Sequence, residues 1–138
     1  MITSVTIWGL AVGVAHVIAT GAYYGNPLVD RVYARAMEEE PGVKRWTSKP
    51  RYLATQIAGT QVEVFILTAA FLWLRPQIHV AGFLGTALLG LVFAGVRVYP
   101  RFWNMWIQST YPNRLLAIEV GGGLLSTAVV VTVLHFVV

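Results

Sequence analysis

Glu63 is the residue whose type and setting most invite chemistry. It lies within Arg51 to Leu74, an apolar stretch long enough to cross a bilayer. A carboxyl group in hydrocarbon is costly, so Glu63 is expected to face a bundle interior or a wet cavity. Gln56, Thr60 and Glu63 fall at helical spacing on one face of that stretch. His16, in the first apolar segment, supplies an imidazole that could hold or relay a proton. An acid kept from water beside an imidazole is equipment for proton transfer to an apolar substrate arriving from lipid. Isomerase, cyclase and epoxide-opening steps are of that kind. Glu63 and His16 are therefore the candidate catalytic residues. Gln56, Thr60, Glu119, Arg97, Asn104 and Tyr24 are the candidate ligand-binding residues. Each has a plainer reading beside it. His16 could be a neutral imidazole bonded between helices, and Arg97 could reach out to headgroups.

Other chemistries find no residues here. The chain has no cysteine, which excludes disulfides and thiol catalysis. His16, His79 and His135 fall at different depths, so no metal site is expected. No nucleophile motif, phosphate loop or haem pair is present, and no cofactor is expected.

The elements that must position these residues are membrane spans. Of the 138 residues, 57% are apolar and 12% charged. A soluble domain carries about a quarter charged residues. Four segments are long enough to span: Thr3–Tyr24, Tyr52–Leu74, Val80–Tyr99 and Leu115–Val138. The expected fold is all-α. It is one integral membrane domain over residues 1–138, a four-transmembrane-helix bundle built from two helical hairpins. No Lys or Arg precedes the first span, so it reads as retained and not as a cleaved leader.

Between spans one and two, Asn26-Pro27 reads as a helix start. Leu28, Val29, Val32, Tyr33, Ala36 and Met37 then form one apolar stripe, which predicts an amphipathic helix in the interface plane. Its acidic end, Glu38-Glu39-Glu40, opposes the helix dipole and is expected to fray. Small residues make two seams for close helix packing. Gly9 and Gly13 share a face with His16 and Thr20, and Gly82, Thr86, Gly90 and Ala94 recur every fourth residue. Phe102 to Ile107 reads as interfacial, and His135 as an interfacial residue without a role. Gly121-Gly122-Gly123 weakens the last span by about 1 kcal/mol per glycine relative to alanine, so something is expected to approach its backbone.

Charge gives orientation. Arg31, Arg35, Lys44, Arg45, Lys49, Arg51, Arg97, Arg101 and Arg114 fall on one side, and Arg75 on the other. That bias predicts cytoplasmic basic loops, outward termini and a bacterial plasma membrane setting. The net charge of +4 is read as contact with anionic lipid, not with nucleic acid. Aligning Arg51 with Arg114 suggests a weak internal repeat that places Gln56 opposite Glu119 in equivalent inward positions. By helical rise, Glu119 falls about 7 Å, His16 about 12 Å and Glu63 about 18 Å from the basic boundary. Arg97, placed at that boundary, is expected to pair with Glu119.

Tyr23-Tyr24-Gly25-Asn26-Pro27-Leu28 resembles the aromatic-Tyr-Gly-x-Pro-Leu signature of the domain of unknown function 1761 family. Asn104, followed by Arg114-Leu115-Leu116, resembles that family's Asn and its polar turn into the last span. The resemblance implies a small four-span protein with a long first loop and a tight second one. Glu119 stands where it implies an amide residue.

Three functions fit these residues. The first is a polar, Glu-containing site that binds an apolar or amphiphilic small molecule, with intramembrane acid/base catalysis as its chemistry. The second is a small proton-coupled transporter acting as a dimer. The third is a non-catalytic subunit or assembly factor. Expected partners are membrane lipid, the small molecule, and a second copy or larger membrane complex. The residues leave open whether the chain is an enzyme.

Overall fold

Caps and breakers set the helix boundaries. The Leu28 N–H donates to Asn26 Oδ1 at 2.9 Å, and Pro27 takes the first helical position. The Arg51 N–H donates to Ser48 Oγ at 3.4 Å, with Pro50 in the first turn. In the computed structural model, which describes residues 2–138, these signals delimit helices α1 (Ile2–Tyr24), α2 (Pro27–Glu39) and α3 (Lys49–Leu74). A single 3-10 turn, Arg75–Gln77, leads on to α4 (Gly82–Gln108) and α5 (Asn113–Val137). Among the described residues every regular element is helical. The four long helices α1, α3, α4 and α5 are long and apolar enough to cross a membrane, and they mark the chain as an integral membrane protein.

The third span runs further than its sequence suggests. It was expected to close at Tyr99, yet α4 continues through Pro100 to Gln108. Proline removes one N–H from the helix ladder, and membrane helices tolerate this where neighbours re-satisfy the backbone. The aromatic run Phe102 to Ile107 is therefore the last part of helix α4. Arg97 moves with it, from a boundary position to the middle of α4.

Helix α5 is the centre of the bundle. It packs against α1, α2, α3 and α4, and its large exposed apolar side chains are Leu124 and Phe136. Helix α1 packs on α3 and α5, whereas the consecutive helices α3 and α4 touch little. The spans thus follow the order α3, α1, α5, α4 around the bundle, and the α3/α4 seam is open. Glycines allow the tight pairs. A Cβ on Gly9 would lie 2.5 Å from the Phe65 ring, and one on Gly90 would lie 3.1 Å from Val131. The Gln61 side chain occupies the place of a Gly13 Cβ, and its amide donates to the Gly9 carbonyl at 3.3 Å.

An apolar core fills the half of the bundle nearest the 3-10 turn, with Val64, Leu67, Phe71, Leu89, Phe93 and Leu134 buried there. At that end Arg75 holds the turn to α4. It donates to Thr86 Oγ1 at 3.2 Å, to the Ile78 carbonyl at 3.3 Å and to the Gly82 carbonyl at 2.9 Å. Thr86 Oγ1 lies 3.0 Å from His135 Nδ1, so His135 ties α5 into the same knot.

The opposite, basic end is closed by α2. Ala36 is buried with Val43 and Leu115, and Tyr33, Met37 and Tyr111 pack on them. This part of the stripe, expected to lie against headgroups, covers the end of α5. The acidic end of α2, expected to fray, is held: Arg45 donates to the Met37 and Glu38 carbonyls at 2.7 and 3.0 Å. A cation there also suits the dipole. On the solvent side Arg35 Nε lies 2.8 Å from Glu39 Oε1, a carboxylate that raises the guanidinium further above its ordinary range.

Candidate functional site

The middle of each spanning helix contributes a polar side chain to one layer. Arg97 of α4 is its hub. Its Nε donates to Glu63 Oε1 on α3 at 2.7 Å, its Nη1 to Thr127 Oγ1 on α5 at 2.6 Å, and its Nη2 to Ser126 Oγ at 3.3 Å. Ser126 Oγ lies 2.8 Å from His16 Nε2 on α1. Arginine only donates, so Ser126 accepts from Arg97; its second lone pair can accept from His16 Nε2–H, or its own proton can go to a bare Nε2. Nδ1 is buried without a hydrogen-bond partner among the described residues.

The two carboxylates are arranged in opposite senses. In the Arg97–Glu63 pair the cation is inside, with its side chain 15% exposed against 44% for the glutamate. One helical turn along α4, Arg101 Nη2 donates to Glu119 Oε2 at 2.8 Å. In that pair the anion is inside, 16% exposed against 67% for the arginine. Both pairs border a cavity of about 60 Å³ between α3, α4 and α5, where Val98, Phe102, Leu116 and Gly123 complete the walls. An open groove of about 380 Å³ runs along α3 past Thr55, Gln56, Gly59, Thr60 and Ile66. Glu63 and Arg101 stand in both spaces.

The candidate residues divide on this geometry. Glu63, His16 and Arg97 belong to one network. The expected Arg97–Glu119 pair is not formed; Arg97 takes Glu63, and Glu119 takes Arg101. The cause is the longer α4, which sets Arg97 level with Glu63 and Arg101 level with Glu119. Arg97 is also no snorkelling residue, since its guanidinium turns into the bundle. Gln56 is exposed on the groove wall, so it and Glu119 are not equivalent inward positions. Thr60 lines the groove but gives its hydroxyl to its own helix, at the Gln56 and Ile57 carbonyls. Asn104 is exposed near the end of α4, away from this layer. Ser126, Thr127, Gln61 and Arg101 were not among the candidates. Glu119, Gly123 and Ser126 share a helical face, a spacing that points to Ser126. No sequence signal singles out Thr127. Among the described residues, no three His, Asp or Glu side chains converge as metal ligands would.

Tyr24, the remaining candidate, belongs to a second contact, at the basic end of α1. Tyr23 Oη donates to the Ile118 carbonyl at 3.0 Å. The same hydroxyl lies 2.5 Å from where a Gly121 Cβ would be, and the Tyr24 hydroxyl occupies the place of a Gly122 Cβ. Val98 crowds Gly123 in the same way, at 2.9 Å. Each glycine of the triplet thus admits a neighbour to the α5 backbone.

Comparison with protein families bears on this layout. The family described as Protein of unknown function (DUF1761) matches residues 8–135. The chain belongs to that family. No curated protein matches the chain, and no solved structure does. In this DUF1761 protein, the Tyr-Tyr-Gly-Asn-Pro-Leu motif joins α1 to α2 and seats two tyrosines on the α5 glycines. The motif closes the fold at the basic end and stands apart from the Arg97 network.

Proposed function

We propose that this protein binds an amphiphile that enters sideways from the bilayer through the α3/α4 seam. The reading includes two hairpins, α1 with α3 and α4 with α5, and basic loops on the cytoplasmic side. Helix α2 lies along that surface. The observation that carries it is the shared position of Glu63 and Arg101, in both the inner cavity and the outer groove. A headgroup in the cavity meets charged side chains, while its chain lies along Val62 and Ile66, both exposed on α3. Glu63, Glu119, Arg101, Gln56 and Thr60 are the contact residues. Arg97 and His16 hold Glu63 in place, and Tyr24 supports the bundle.

Binding fits the geometry better than acid catalysis. A general acid needs a proton to give, and Glu63 has a guanidinium at 2.7 Å in place of the isolated setting its sequence suggests.

Gly59 offers a direct test. A Cβ there meets nothing within 4 Å, so a bulky side chain is accommodated by the fold yet fills the groove. Protein purified in mild detergent is expected to carry about one amphiphile per chain by native mass spectrometry. Gly59→Trp is expected to lose it while keeping its helical circular dichroism. An empty wild-type protein, or a Gly59→Trp variant as loaded as wild type, would overturn the reading.

A further inference from the structure

Resting on that reading, we propose that the site selects a zwitterionic headgroup, one that carries an oxyanion and a protonated primary amine on a short spacer. Charge balance sets the first constraint. Arg97, Arg101, Glu63 and Glu119 sum to zero, in two ion pairs at the edge of an apolar bundle. A headgroup of net charge would leave one charge uncompensated in a poorly solvated place. A zwitterion keeps the site neutral.

The free hydrogen-bonding atoms fit both ends of such a headgroup. Arg97 uses Nε, Nη1 and Nη2 on Glu63, Thr127 and Ser126, so it has little left for a ligand. Arg101 uses Nη2 alone among the described residues, and its side chain is 67% exposed. Its Nε and Nη1 can donate to an oxyanion. Glu63 engages Arg97 through Oε1, so Oε2 can accept from an ammonium. Arg101 lies one turn from Arg97, the partner of Glu63, and both Arg101 and Glu63 line the same two spaces. One small headgroup can thus meet the two free groups together when a short spacer joins its anion and amine. Acceptance by Oε2 requires an N–H, which a quaternary ammonium lacks. The chemistry is shared by aminophospholipids and by single-chain amphiphiles with the same headgroup.

The test uses an uncharged photoactivatable hexadecanol, cross-linked to the whole protein in detergent and displaced by competing lipids. Phosphatidylethanolamine is expected to compete about tenfold better than phosphatidylcholine of the same chains, as one charge-assisted hydrogen bond separates them. The mono- and dimethylated ethanolamine lipids keep an N–H and should compete nearly as well as phosphatidylethanolamine, with the loss falling at the quaternary choline lipid. Phosphatidylglycerol should compete less well than phosphatidylethanolamine. A lysophosphatidylethanolamine arm tells one-chain from two-chain sources, and displacement by either supports the proposal. Glu63→Gln should bring ethanolamine and choline lipids to parity. Arg101→Gln should weaken both together, and Lys49→Gln, outside the cleft, should change neither. The methylation series on wild-type protein decides the matter even where a variant folds poorly. Equal competition by ethanolamine and choline lipids, or stronger competition by phosphatidylglycerol, would overturn the proposal while cleft binding stands. Absence of labelling at α3 and α4 by the uncharged probe would overturn the binding reading itself.

Discussion

Arg97 sets the energetics of the site because it ties α4 to both α3 and α5 through three side chains. Removing it strands a half-exposed carboxylate and two hydroxyls. Arg97→Met is expected to destabilise the protein by about 2 kcal/mol, below the 3–5 of a fully buried pair because Glu63 keeps partial solvation. Denaturation in mixed micelles measures this. The double variant Arg97→Met/Glu63→Gln should fall short of the sum of its singles by about 1 kcal/mol. Arg97→Met/Glu119→Gln should add to within about 0.5 kcal/mol, since Glu119 pairs with Arg101. Ser126→Ala, which takes a partner from both His16 and Arg97, should cost about 1 kcal/mol. Glu63 was expected to face a bundle interior or a wet cavity; its side chain is 44% exposed and lines the open groove, with one oxygen held by Arg97. That partner was not legible. Which arginine meets which glutamate depends on the axial offset of α3, α4 and α5, and no residue pattern within one helix encodes that offset.

At the scale of the helix, the glycine triplet makes a sharper case. Gly121→Ala gains about 1 kcal/mol of helix propensity. It also displaces the Tyr23 hydroxyl from the Ile118 carbonyl, a loss of about 1 kcal/mol. The two effects cancel, so Gly121→Ala alone should leave stability nearly unchanged. With Tyr23→Phe as background the clash is gone and no hydrogen bond remains to lose. There the same substitution should stabilise by about 1 kcal/mol, read from the thermal midpoint. A backbone approach at the triplet was predictable from the sequence, but the approaching groups were not. The tyrosines lie about a hundred residues away, and only the docking of α1 on α5 brings them there. Helix ends were legible where a cap announces them, as at Asn26, whereas the cap at Ser48 was not read. They were misread at Pro100, because proline usually ends a helix and here does not.

Across the whole molecule, span number and class were readable from hydropathy alone, since any segment so apolar and so long must avoid water. The order of spans around the bundle was not readable, because lipid-facing and helix-facing apolar residues look alike in a sequence. Orientation can be checked cheaply. The chain has no cysteine, so single cysteines report cleanly. Gln77→Cys should react with a membrane-impermeant maleimide in right-side-out vesicles. Lys44→Cys should react only in inverted ones.

The knot of Arg75, Thr86 and His135 fastens α3 and α4 at one tip, and little else joins them but the Glu63–Arg97 contact. Two rods pinned at one end part most readily at the other. On the proposed reading the mouth between them belongs to the leaflet beside the basic loops, and the asymmetry of the bilayer, more than its bulk composition, then governs what the site meets.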